Sequence, residues 1–237
     1  MLTEILIASL VILVGSYVQS SIGFGLAIIA APVLFFVDPL FVPAPITVSA
    51  LTLSLANARR HRHAISFRGL QFALLGRIPG TIAGGLLLLW IDQRELALWL
   101  GLTVLAAVAL SLRKIAIEPR PGAMFSAGFL SGFMGTSSSI GGPPMALVMQ
   151  HQASDFIRAN LAAFFVASCI MSLLMLSAVG RFGMPEIVRS LPLLPATLVG
   201  YWLAMRTLHL ITPENLRRFS LLLCAVAGAS AVVSYFV

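Results

Sequence analysis

The chain has 237 residues, of which 59% are hydrophobic and only 10% charged, and its mean hydropathy is +1.01. A soluble domain carries about 25% charged residues, so this composition excludes a soluble fold and points to a polytopic α-helical membrane protein. The net charge of +7 lies mostly in short loops, where membrane topology accounts for it, and no nucleic-acid partner is implied.

Apolar segments are predicted at 2–18, 24–37, 40–57, 68–90 and 96–112, and again at 123–136, 142–150, 157–179, 187–207 and 215–237. This gives eight to ten membrane segments. The runs are continuous rather than alternating, which argues against a β-barrel. The start of the chain has no basic region and carries Glu4, so no removable signal peptide is expected. Residues 2–37 as one straight helix would measure about 54 Å, against a bilayer core of about 30 Å. A break is therefore required near Ser20-Ser21-Ile22-Gly23: the chain either reverses as a hairpin or unwinds within one crossing. Arg59-Arg60-His61-Arg62-His63 reads as a cytoplasmic loop. No further ligand completes a metal site around its histidines, so no metal or cofactor is expected.

Small residues at four-residue spacing, Gly76, Gly80 and Gly84, then Ala127, Ser131 and Gly135, predict close helix packing. Glu118-Pro119-Arg120-Pro121-Gly122 reads as the linker between a first membrane repeat, 1–118, and a second, 119–237. Segment 142–150 is too short to span alone and favours a re-entrant hairpin. Cys169 and Cys224, inside apolar runs, read as small buried residues rather than a disulfide. Asn57, Gln71, Gln150 and Asn160 read as caps or interhelical ties.

The division into repeats rests on echoes. Ser20-Ser21-Ile22-Gly23 recurs as Ser138-Ser139-Ile140-Gly141. Pro79 to Gly84 is echoed by Pro195 to Gly200, and Ile91 and Leu96 by Ile211 and Leu216. Duplicated hydrophobic halves with interrupted segments at matching places predict a transporter whose site lies between the repeats. With hairpins at the breaks, the halves are inverted. Arg59, Arg60, Arg62, Arg68, Arg113, Lys114, Arg120, Arg158, Arg206, Arg217 and Arg218 then face inside, against Arg94, Arg181 and Arg189 outside. Parallel halves divide the charges nine to five, so the positive-inside rule prefers inversion.

The breaks supply the candidate site: Gln19, Ser20, Ser21, Gly23 and Gly25 at the first, and Ser137, Ser138, Ser139, Gly141 and Gly142 at the second. Both offer hydroxyls and bare N–H groups where a helix restarts, and two converging helix N-termini suit a small anion. The competing reading is that these residues only permit the kink. Every carboxylate (Glu4, Asp38, Asp92, Glu95, Glu118, Asp155, Glu186, Glu214) maps to an end or loop, leaving none mid-span for a cation or proton relay. Arg77 does fall within a span. It either grips the anion with forked hydrogen bonds or snorkels to the inner interface near Arg68.

The run Gln19 to Gly25 followed by Pro32, with Gly128 to Gly135 leading into Gly141-Gly142-Pro143-Pro144, resembles the TauE/SafE family, also called the sulfite exporter or toluene sulfonate uptake permease family. The resemblance covers the whole chain. Where the family often has a run of glycines at the second break, this chain has Thr136-Ser137-Ser138-Ser139. The resemblance implies a transporter of sulfite, sulfoacetate or another organosulfonate in a bacterial-type cytoplasmic membrane, working by alternating access. An anion channel, or a carrier of an unrelated small solute, is the alternative. Homodimerisation and coupling to a proton or another ion stay open. Gly135-Thr136-Ser137-Ser138 loosely resembles a nucleophile loop, but His151 and His209 lie at segment ends, so no enzyme is expected.

Overall fold

A computed structural model describes residues 2–112, 117–207, 221–222, 225–226, 228–233 and 236. Arg113, Lys114, the Ile211 and Leu216 echo, Glu214, Arg217, Arg218 and Cys224 lie outside the described residues. The described chain is helical, with no strand.

Helix α1 (Leu2–Ile22) ends where Gly23 and Gly25 take φ of 96° and 128°, a region that side chains with a Cβ avoid. The chain reverses there into α2 (Leu26–Val37). A Cβ on Gly15 would sit 2.9 Å from the Leu26 carbonyl, so α2 starts beside the middle of α1. At 12 residues, α2 reaches about 18 Å and does not span. A 3-10 turn, Pro39–Phe41, leads into α3 (Ala44–Arg60). Helix α4 (Leu70–Trp90) and α5 (Gln93–Leu112) follow. Asp92 and Glu95 cap the start of α5 reciprocally, at 2.7 and 2.9 Å.

The second half also begins with a long helix followed by a short one. Helix α6 (Pro121–Ser138) ends at Ser139, the described non-glycine residue with positive φ, at 65°. Helix α7 (Gly142–Met149) has Pro143 and Pro144 in its first turn, where a missing N–H costs nothing. With eight residues it reaches about 12 Å. Helix α8 (Ser154–Ala178), α9 (Met184–Ser190) and α10 (Leu193–Thr207) complete the named elements. Helical residues around Gly228 and Val232 pack on Gly101 of α5.

The pairing of residues fixes helix directions. A Cβ at Gly76, Gly80 or Gly84 would run into the carbonyl of Phe125, Phe129 or Phe133 respectively, and one at Gly128 into that of Ala73. Helices α4 and α6 are therefore parallel and in backbone contact along the glycine ladder. Gly200 sits on Leu13, and Tyr17 bonds Thr207 at 2.7 Å, so α1 and α10 are parallel too. Ala64 and Ser66, just past α3, bond Asn160 near the start of α8. Thr47, at the start of α3, lines a cavity with Ser172, deep in α8. Those two helices are antiparallel. The ends of α1 and α3 meet at Ser20 and Asn57, 3.3 Å apart. Both breaks are thus hairpins, and they dip inward from opposite ends. One end, called basic below, carries Arg59, Arg60, Arg62, Arg68, Arg120, Arg158 and Arg206; Arg94, Arg181 and Arg189 lie at the other.

Five described helices are long and apolar enough to cross a membrane, or six if the α9–α10 pair, bent by 41°, counts as one span. The protein is a multi-pass membrane protein. Helix α6 is missing from that set although it has 18 residues, because glycine and serine occupy the faces it presents to α4 and α8. The segments predicted at 24–37 and 142–150 are the short hairpin legs α2 and α7.

Gly80→Leu is expected to lower stability by about 3 kcal/mol or more, since its neighbour is backbone that cannot yield. Gly122→Ala, facing open space, should leave the midpoint unchanged. Melting of the purified variants in detergent checks both.

Candidate functional site

The two breaks touch. A Cβ on Gly142 would lie 3.0 Å from the Cβ of Phe24, so the aromatic ring of the first break packs on the bare backbone of the second. Beside this contact lies a cavity of about 40 Å³, lined by residues of both breaks, among them Gln19, Gly25, Ser139, Gly141 and Gly142, and by Arg77. Its volume matches about three waters. It sits level with Ser131, ten residues into α6 and so about 15 Å from that helix's start. That is near half the depth of a bilayer core of about 30 Å.

Arg77 is 3% exposed and does not snorkel. Its Nη1 donates to the carbonyl and hydroxyl of Ser131 at 2.6 and 2.7 Å. Its Nη2 donates to Ser172 Oγ at 2.9 Å and more weakly to the Ser168 carbonyl at 3.4 Å. The guanidinium lies 5.7 Å from the centre of the Phe164 ring. The room for it comes from Gly135 and Gly141, where added Cβ atoms would fall 2.8 Å from Nη2 and 3.0 Å from Nη1. No carboxylate pairs with Arg77 among the described residues, and its Nε is buried without a hydrogen-bond partner, as is the Ser168 hydroxyl. The cage therefore carries an uncompensated positive charge and spare donors. Buried polar groups are nearly always satisfied, and these two orphans belong to residues that line the cavity.

The helix restarts differ in what they offer. Gln19 Oε1 accepts from the N–H of Leu26 at 3.1 Å and so caps the first donor of α2. No side chain caps α7. Its carbonyl at Gly141 is held by the Ser131 hydroxyl at 2.5 Å, which locks the second break onto the residue that also grips Arg77. Ser139 donates to the Pro43 carbonyl at 2.8 Å and lies 3.2 Å from the Thr47 hydroxyl, fastening the same break to α3.

Of the residues singled out in the sequence, Gln19, Gly25, Arg77, Ser139, Gly141 and Gly142 converge on the central cavity. The others do not line it. Ser21 donates to the Tyr17 carbonyl and faces a larger vestibule at the basic end. Gly23 lines a narrow space between the two. Ser20 meets Asn57, Ser137 donates to the Phe133 carbonyl and contacts Trp99 Nε1 at 2.8 Å, and Ser138 donates to the Met134 carbonyl. The sequence reading missed Thr47, Phe165, Ser168, Cys169 and Ser172 as cavity residues, and it read Ser131 and Gly135 first as packing, with a substrate passage along the ladder second. The Ser168–Ser172 spacing on α8 places two hydroxyls on one face, a signal present in the sequence. Cys169 is a free, buried thiol. Among the described residues no group of His, Cys, Asp and Glu side chains is placed to hold a metal ion.

The family model described as sulfite exporter TauE/SafE matches residues 7–231. No curated protein and no solved structure matches the chain.

Gly141→Leu and Gly23→Leu are each expected to abolish solute movement while the protein still reaches the membrane. The first side chain would strike Ser131 and Arg77, and the second would enter a backbone conformation with φ of 96° against Leu161. Comparing flux in vesicles with the yield of membrane-inserted protein checks this; flux at the unmutated level would refute it.

Proposed function

The chain belongs to the TauE/SafE sulfite exporter family, a family of transporters, and from that premise we propose that it is a secondary carrier of a small sulfur-containing oxyanion. Sulfite, sulfoacetate and other compact organosulfonates are the substrates in view. The observation that carries the proposal is Arg77: a buried guanidinium with no carboxylate partner among the described residues, caged by neutral hydroxyls and carbonyls, beside a cavity lined by both breaks. Burying a lone cation costs several kcal/mol, and an anion in the cavity relieves that cost. Its oxygens would take up Arg77 Nε and the Ser168 hydroxyl, with the uncapped start of α7 nearby.

A carrier is favoured over a channel because the central cavity is small and the narrow space beside it holds about one water. Alternating access then works on two repeats, 1–118 and 119–237. Their inversion is supported by the directions of equivalent helices: α3 runs against α8, and the α4–α6 pairing is matched by α10–α1 with the halves exchanged. The repeats rock about the touching breaks. The positive-inside rule puts the basic end in the cytoplasm.

Arg77→Gln should lower sulfite or sulfoacetate counterflow into proteoliposomes by about two orders of magnitude, since removing one partner of a buried charge pair costs about 2–5 kcal/mol. Wild-type flux that carries uncoupled current and does not saturate would make the protein a channel. Topology has its own test. With Cys169 and Cys224 replaced, Gly183→Cys should react with an impermeant thiol reagent from outside and His63→Cys should not; equal sidedness would refute the inverted arrangement.

A further inference from the structure

At the basic end lies a vestibule of about 400 Å³, between the first break, α7, the start of α8 and the end of α5. Among the described residues its charged member is Arg158, and Ser21, Phe24, Pro143, Gln150 and Ser154 share its wall. Arg158 also lines the narrow space of about 10 Å³ that Gln19, Gly23, Ser54 and Phe165 enclose. Gln19 and Phe165 in turn line the central cavity beside Arg77. The three spaces are thus joined by shared side chains, with an arginine at each end of the series.

Arg158 is poorly satisfied where it stands. Its side chain is 15% exposed, and its ion partner is Asp155, 3.1 Å away and 78% exposed. A pair with so exposed a partner contributes little. The buried Nε of Arg158 has no hydrogen-bond partner, and neither has the buried hydroxyl of Ser54 in the same narrow space. The arginine's stem is braced by the first break: a Cβ on Gly23 would fall 3.8 Å from its Cα and Cγ. The series therefore presents unpaired donors at Arg158, Ser54, Arg77 and Ser168 in turn.

We infer that Arg158 forms an outer docking site for the transported anion in the basic-end vestibule, from which the anion passes Ser54 and Gln19 to Arg77. This rests on the carrier reading above and adds a second, separately testable stop. Asp155 competes with the anion for Arg158 and gives way when it arrives. The connecting space holds about one water, so the structure shows the two stops separated. Passage needs the wall of Gly23 and Phe165 to part.

The experiment is sulfite counterflow in proteoliposomes with wild type, Arg158→Gln, Arg158→Lys and Asp155→Asn. Arg158→Gln should raise KM about ten- to a hundredfold, the effect of losing hydrogen bonds to a charged group. Arg158→Lys keeps the charge without the fork and should fall between. Asp155→Asn should lower KM about two- to threefold by freeing the arginine. A purely structural role for Arg158 would not produce these opposite shifts. If melting shows that Arg158→Gln fails to fold, Asp155→Asn decides alone, because that carboxylate is exposed. Wild-type transport with Arg158→Gln and Asp155→Asn both at the wild-type KM overturns the docking site and leaves the carrier reading standing. Wild-type vesicles that move none of sulfite, sulfoacetate or thiosulfate overturn the carrier reading and the docking site with it.

Discussion

A bilayer core contains no water to satisfy an interrupted helix, so each broken backbone must find its partners inside the protein. That constraint organises this molecule. The two breaks are buried against each other, Phe24 on Gly142, and each is tied down by side-chain hydrogen bonds. Gln19 caps α2, Ser131 holds Gly141, and Ser139 reaches Pro43 and Thr47 on the far side. Space for this arrangement comes from α4 and α6. Their glycines bring the two backbones into contact and carry Ser131 and Gly135 to within reach of Arg77.

Arg77 is the electrostatic consequence of that packing. Its cage consists of two serine hydroxyls, two serine carbonyls and an aromatic face, all uncharged. Neutral partners hold the guanidinium's direction without cancelling its charge. A carboxylate in the same place would have neutralised the site and left nothing for an anion to gain. The echo that pairs Pro79 with Pro195 sets Leu193 at the position matching Arg77, so the echoed segments share a proline and a glycine but not the cation.

The surroundings grade from wet to enclosed. The basic end opens into a broad vestibule with Arg158 in its wall, and a cationic wall raises the local concentration of anions. Inward, the space narrows to the dimension of a water and then opens slightly at the centre. The first break, with Gly23 and Gly25 at positive φ, forms the wall between these regions, and α8 supplies Arg158 at one end and Ser172 at the other. Movement of either element would therefore change access and coordination together.

Much of this was legible in the sequence. Hydropathy gave the membrane class, because transfer of apolar side chains depends on composition alone. Helix length against bilayer thickness demanded breaks at Gly23 and Gly141, and the glycine ladder announced close packing. The sequence could not choose between a hairpin and an unwound crossing, since both need the same glycines; the Gly15–Leu26 approach made that choice. Nor could it tell which hydroxyls serve the cavity. Ser137 and Ser138 bond their own helix's carbonyls, while Ser131, Ser168 and Ser172, distant in sequence, enclose Arg77. Arg77 itself was visible as a charge within a span, but its direction was not. A side chain with several rotatable bonds points wherever neighbouring helices leave room and donors find acceptors, and only the packed tertiary structure sets those two conditions.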